Sequence, residues 1–218
     1  MFGVGSAGRI ATSLLKGNRK MANTNAPFGF RQASGTGVTP SYEQVEALIK
    51  SDYTTPIFFG DPVYPLDTGY IAGSSVTPGS VQIAGIFVGC KYLSVSQKRT
   101  VWSNYWPGSD NNGAVTAYIV NDPNANFLVQ VGGSSSTGLT QADIGANVQF
   151  AYGSGNTANG ISAAYVVYNS GAVTATLPFR VKSLVTEPPG SNGTESGAYN
   201  YVIVGFNNVS TKQLTSVG

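Results

Sequence analysis

VQIAGIFVGCKYLSV, residues 81–95, is the stretch that decides the fold class. It is dense in β-branched and aromatic residues, and glycines interrupt it where a long helix would tolerate them poorly, so it reads as a strand. In a strand successive side chains face opposite ways, which sends Cys90 and Lys91 to different sides. Working outward, the same signature recurs in PIFFGDPVY (56–64), GYIAGSS (69–75), RTVWSNYW (99–106) and AVTAYIV (114–120). It continues in FLVQVGG (127–133), NVQFAYG (147–153), SAAYVVYN (162–169), FRVKSLV (179–185) and YNYVIVGFN (199–207). Gly, Pro, Asn-Gly and Asn-Asp-Pro punctuate these runs, and no helix long enough to cross between parallel strands separates them. The expectation is an all-β chain built as a single antiparallel β-barrel or β-sandwich, with a jelly-roll arrangement possible.

Two segments depart from this pattern. YEQVEALIKSD (42–52) satisfies both periods: Tyr42, Val45, Leu48 and Ile49 share a helix face, while Val45, Ala47 and Ile49 alternate as in a strand. LTQADIGANV (139–148) reads as a short helical turn with Thr140 at its cap and Asp143 three residues on. GSGNTANG (153–160) and EPPGSNGTESG (187–197) hold almost no apolar side chains and read as exposed loops.

The chain has 218 residues, and its formal charge of +2 hides an asymmetry. Arg9, Lys16, Arg19 and Lys20 fall in the first twenty residues with no acid among them, whereas eight Lys/Arg face ten Asp/Glu in the rest. The body is therefore nearly neutral, which argues against nucleic-acid binding. No apolar run is long enough to span a bilayer as a helix, and IATSLL (10–15) is short for a signal-peptide core. Residues 1–41 read as an N-terminal arm preceding a body of residues 42–218. The arm comprises a basic leader (1–20), the apolar MANTNAPFGFRQ (21–32) and a linker of small and turn-forming residues (33–41). The leader is either an upstream extension or a basic arm that meets an acidic partner.

Chemistry finds little to work with. The chain has no histidine, which removes Ser-His-Asp and Cys-His sites and the usual zinc sets. Its single cysteine, Cys90, reads as a small buried hydrophobe. Asp61 in GDP and Asp122 in NDP fit turns in which the carboxylate accepts nearby backbone amides. SDNNG (109–113) lacks the closing acids of a calcium loop, and the glycines of GVGSAG and GTGVTPS lack the strand and helix of a phosphate cradle. No catalytic residue, cofactor or metal is expected. The remaining resource is aromatic: Trp102, Tyr105 and Trp106, Phe58 and Phe59, and Tyr165 and Tyr168.

MANTNAPFGFRQ (21–32), YTTPIFFGDPV (53–63), IAGIFVGCKY (83–92), YWP (105–107), ADIGANVQF (142–150) and FRVKSLV (179–185) together resemble a family of tailed-bacteriophage capsid cement, or decoration, proteins. The resemblance runs from Met21 to about Asn208; residues 1–20 lie ahead of the family's usual start. It implies a small β-rich protein, made in the bacterial cytoplasm, that catalyses nothing. Such a protein binds the outer surface of the virion head and ties neighbouring major capsid proteins together.

The residues expected to carry that contact are Pro27, Phe28, Gly29 and Phe30, with Arg9, Lys16, Arg19 and Lys20 steering the arm toward acidic surface. Phe28 and Phe30 would enter a neighbour's pockets; the other reading is that they cover the chain's own barrel. By analogy with other decoration proteins, a homo-oligomer is expected, a trimer in preference to a dimer. A functional alternative of another class is a carbohydrate-binding β-module on the virion surface that attaches to host glycans, using loops 108–113, 153–160 and 187–197 beside exposed tyrosines.

Overall fold

The computed structural model of the chain describes residues 23–35, 37, 39–41, 43–73, 81–133, 138–168, 170–185 and 197–212. It is all-β, as its alternating runs require. In chain order the strands are β1 (Arg31–Ser34), β2 (Val45–Ile49), β3 (Pro62–Pro65), β4 (Ile71–Ala72) and β5 (Gly85–Ser94). There follow β6 (Arg99–Ser103), β7 (Val115–Val120), β8 (Asn126–Gly132), β9 (Asn147–Val148) and β10 (Phe150–Ala151). β11 (Tyr165–Val167), β12 (Phe179–Leu184) and β13 (Tyr201–Phe206) complete the set. The ambiguous segment 42–52 resolves as β2: pairing with β7 from Val45 to Ile49 satisfies its backbone and turns Ile49 into a core. The turn at 139–148 is a single 3₁₀ turn, Gln141–Asp143, where the Thr140 amide (2.7 Å) and hydroxyl (2.8 Å) both donate to the Asp143 carboxylate.

The pairings make two sheets. In the first, β3 pairs with β4, β4 with β2, β2 with β7, β7 with β5, and β5 back with β3, closing a five-stranded barrel; β6 hangs on the free side of β5. The second is open, in the order β10-β11-β8-β13-β12-β9, with β1 laid along the first half of β8. Two of the pairings, β2 with β4 and β8 with β11, are parallel. The expected all-β architecture, a single antiparallel barrel or sandwich, is thus a closed barrel with a further, open sheet.

β5 explains how the two fit together. Phe87, Cys90 and Tyr92 fill the barrel with Ile49, Ile57, Val63, Trp106, Val115 and Ile119. Ile86 faces away from the barrel and joins Phe30, Phe127, Val129, Phe150, Phe179, Val202 and Phe206 in the core of the open sheet. β7 is shared likewise, with Ile119 inside the barrel and Val120 in the other core. A strand buried on both faces reads as the near-continuous apolar run seen at 83–90. Val88 is an extra residue: Phe87 lies opposite Ile119 but Gly89 opposite Tyr118. This bulge shifts the phase of alternation, so even-numbered residues point inward after it.

Backbone bonds sew the units together. Phe59 and Ile161 form a parallel bridge, as do Ile83 and Val209, and the Phe30 amide donates to the Gly60 carbonyl at 2.9 Å. The Tyr152 hydroxyl donates to the Pro62 carbonyl at 2.6 Å.

Candidate functional site

The N-terminal segment does not hang free. From Asn23 it runs over the face of the open sheet that carries Gln130 and Tyr201, then turns inward at Gly29 to the buried Phe30. Gln130, fully buried on β8, holds the first part: its Oε1 accepts from the Ala26 amide at 2.9 Å, and its Nε2 donates to the carbonyls of Thr24 (2.8 Å) and Tyr199 (3.1 Å). Thr24, Asn25 and Ala26 are exposed, and Pro27 is half-buried. Phe28 is half-buried against Tyr201, ring centroids 5.5 Å apart, with the Arg31 guanidinium 4.7 Å over its ring.

Gly29 has φ +77°, and a Cβ there would stand 2.7 Å from Ser162 Cβ and 2.9 Å from the Gly60 carbonyl oxygen. Only glycine fits so close to this junction. Phe30, next in line, is 1% exposed, stacked on Phe179 at 4.4 Å and edge-on to Phe150.

These contacts correct the expected arm. Phe30 fills the chain's own core and is not available to a neighbour's pocket, because burying its ring between Phe179 and Phe150 removes its apolar surface from water within one chain. Residues 31–34, placed in the arm and its linker by sequence, are strand β1, and the body therefore begins well before residue 42. Of the expected contact residues, Pro27 and Phe28 remain at the surface. Arg9, Lys16, Arg19 and Lys20 lie outside the described residues, as does most of the loop 187–197.

A second surface feature lies on the barrel. Register places Leu48, Thr116, Lys91 and Trp102 in one row across β2, β7, β5 and β6, all pointing outward. Trp102 is 67% exposed, and Leu48 and Leu93 are also exposed. Beside this row Tyr118 stands opposite Gly89, so no side chain separates it from Trp102; the two rings lie nearly parallel, 12° apart with centroids at 5.8 Å. Lys91 Nζ sits 5.1 Å from the Trp102 ring centre, a cation–π contact. An open groove of about 410 Å³ runs past them, lined also by Gln44, Val88, Ser103 and Asn104. Another groove, about 560 Å³, borders β1 and carries Lys182 and Lys212 among Ser34, Asn124 and Asn126. Burial, and then the charges of Lys182 and Arg180, hold the Lys212 ammonium below its ordinary pKa.

The other aromatics are committed elsewhere. Trp106 is fully buried, edge-on to Tyr92 at 5.2 Å, with its indole N–H donating to the Tyr53 carbonyl. Phe58 and Tyr105 stack on each other at 5.6 Å, Tyr165 covers Gly132, and Tyr168 packs against the sheet core.

No known family, curated protein or solved structure matches this chain.

The titratable groups are held in structural roles. Asp61 is 4% exposed and accepts from the Phe58 amide (2.7 Å) and the Ser162 hydroxyl (2.6 Å); burial pushes its carboxyl up to about 6. Ser162 in turn accepts from the Ala164 amide, whose carbonyl takes the Gly29 amide. Asp61 thus ties the turn at 58–61 to the segment that receives the N-terminal strand. Asp122 closes its own turn by accepting from the Asn124 amide at 2.8 Å. Asp110 accepts from the Ser94 hydroxyl and the Ser96 amide and hydroxyl, which hold its carboxyl below the usual range. Among the described residues no three acids, cysteines or histidines gather as a metal site. Cys90 is buried, donates weakly to the Tyr105 carbonyl, and burial pushes its thiol up to about 12, far from a thiolate at neutral pH. Sequence reading missed Gln130 and Tyr118, whose roles depend on register; the glycine at 89 was the one local sign of a bulge. No helix among the described residues is long and apolar enough to cross a membrane.

Proposed function

We propose that the chain is a non-enzymatic decoration protein of a tailed-phage virion, which docks on the outside of the head and bridges neighbouring major capsid proteins. The observation that carries this reading is the strap formed by residues 23–28: a surface segment outside the sheets, with Thr24, Asn25 and Ala26 exposed, held on the sheet by Gln130 and Phe28. A surface segment that lies outside the chain's own strand ladders is suited to contact with a partner's strand edge. The lysines of the groove beside β1 favour an acidic partner surface next to that strap. The ordered motifs from MANTNAPFGFRQ to FRVKSLV point the same way.

Docking falls to the strap and the surface around Phe28, Arg31 and Tyr201, with Phe30 serving as the internal anchor of the strap. The bridging unit is a homo-oligomer, with a trimer on three-fold and local three-fold positions preferred. An electron-microscopy map of expanded heads saturated with the chain tests this. Density contacting two capsid subunits with residues 23–28 at the contact is expected; density with the strap facing solvent would overturn the assignment.

A further inference from the structure

We infer that the open groove on the barrel beside the stacked rings of Trp102 and Tyr118, with Gly89 in its lining, is a carbohydrate-binding site for a hexose ring presented by an oligosaccharide, which lies against the exposed surface of the Trp102 indole and not between the two rings. The starting point is Trp102, which leaves 67% of its surface to water on a chain that buries its other tryptophan completely. A large apolar ring held in the open carries a hydration cost that a ligand's apolar face would relieve. Its orientation is fixed by two neighbours, Tyr118 stacked across the gap above Gly89 and Lys91 against the ring.

The gap itself is built. The bulge at Val88 re-aims β5 so that Gly89, not a side chain, stands opposite Tyr118; a Cβ at Gly89 would come 3.0 Å from the Ser103 carbonyl oxygen. Bulges of this kind open sheet surfaces at sites. The groove edge is neutral and hydrogen-bonding. Asn104 is braced by donating to the Asn159 carbonyl at 2.7 Å, and the exposed Gln44 amide has no hydrogen-bond partner among the described residues; the Ser103 hydroxyl is turned to the other face, where it accepts from the Tyr105 amide. No carboxylate lines it. A flat aromatic face beside the neutral amides of Gln44 and Asn104, in a groove of about 410 Å³, matches a pyranose, whose ring offers an apolar C–H face and a rim of hydroxyls. It matches a protein side chain less well, since a docking protein would be expected to fill a deeper apolar pocket. The site's aromatic rings lie on strand faces, the loop 153–160 only bracing Asn104 through Asn159, and the site does not include the strap that carries docking.

Saturation-transfer NMR with cellotriose, maltotriose, chitotriose and lactose, each at about 1 mM so that weak binding is visible, tests the site on the intact chain. Transfer to the ring C–H protons of at least one sugar is expected. Trp102→Ala should lower its affinity at least about tenfold, the equivalent of one stacked aromatic contact, and Trp102→Phe should retain part of it. Because Trp102 is exposed, circular dichroism of both variants should match the parent. A second readout uses Tyr118→Ala, which keeps Trp102 as reporter: the bound sugar should shield Trp102 from iodide quenching in the parent and shield it less in this variant. No transfer from any of the four sugars, or binding unchanged in Trp102→Ala, would overturn the proposal.

Discussion

Phe30 and Phe28 sit two residues apart and have opposite fates. Phe30 is locked between Phe179 and Phe150, so Phe30→Ala should cost about 3–5 kcal/mol in urea unfolding. Phe28 is half-exposed under Arg31, and Phe28→Ala should cost about 1 kcal/mol or less. Equal losses would contradict the placement of the two rings. Asp61 makes a pH prediction. Its folded-state carboxyl titrates near about 6, above its unfolded value, so the folded chain binds the extra proton in between. Stability contributed by that proton is fully present below the unfolded pKa and is lost as pH rises through about 6, by up to about 3 kcal/mol at about 1.4 kcal/mol per pH unit. Urea midpoints from about pH 4 to pH 7 should fall accordingly. Asp61→Asn, which cannot ionise, should flatten that slope even if it is less stable throughout. Cys90 supplies a check on burial: a thiol reagent should leave it unmodified in the folded chain and label it on unfolding.

At the scale of elements, the strap and β1 divide the N-terminal region into a surface part and a structural part. Gln130→Ala would strand the Ala26 amide and the Thr24 carbonyl, so amide exchange at residues 24–28 should rise while β8 keeps its protection. A chain starting at Asn23 should fold, whereas one starting at Gly35 loses both Phe30 and β1 and should not. The strand character of 81–95 was legible because apolar and β-branched residues dominate it. Its service to two cores was not, because the same run suits any strand buried on both faces, and only the pairing with β7 reveals the bulge at Val88. β2 was ambiguous for a related reason: Val45, Leu48 and Ile49 fit two periods, and tertiary pairing decides between them. The 3₁₀ turn after Thr140 was readable because its determinants, Thr140 and Asp143, are three residues apart and act locally.

For the whole molecule, a closed barrel and an open sheet share β5 and β7, so neither core is complete without the other. A single cooperative unfolding transition is therefore expected, with tryptophan fluorescence, which includes the barrel's Trp106, and amide exchange in β8 and β13 reporting the same midpoint. The candidate surfaces lay further from the sequence than the fold did. MANTNAPFGFRQ was recognisable as a sticky segment, yet its two aromatic rings could be told apart only by which side of Gly29 they fall, and the groove at Trp102 depends on residues from three strands and on Gln44 and Asn104 beside them. The measurement that bears most directly on the proposed role is sedimentation of the chain with expanded tailed-phage heads assembled without it. Saturable co-sedimentation with expanded heads, weakened by Gln130→Ala, is the predicted result; a folded chain that stays in the supernatant at saturating concentration would contradict it.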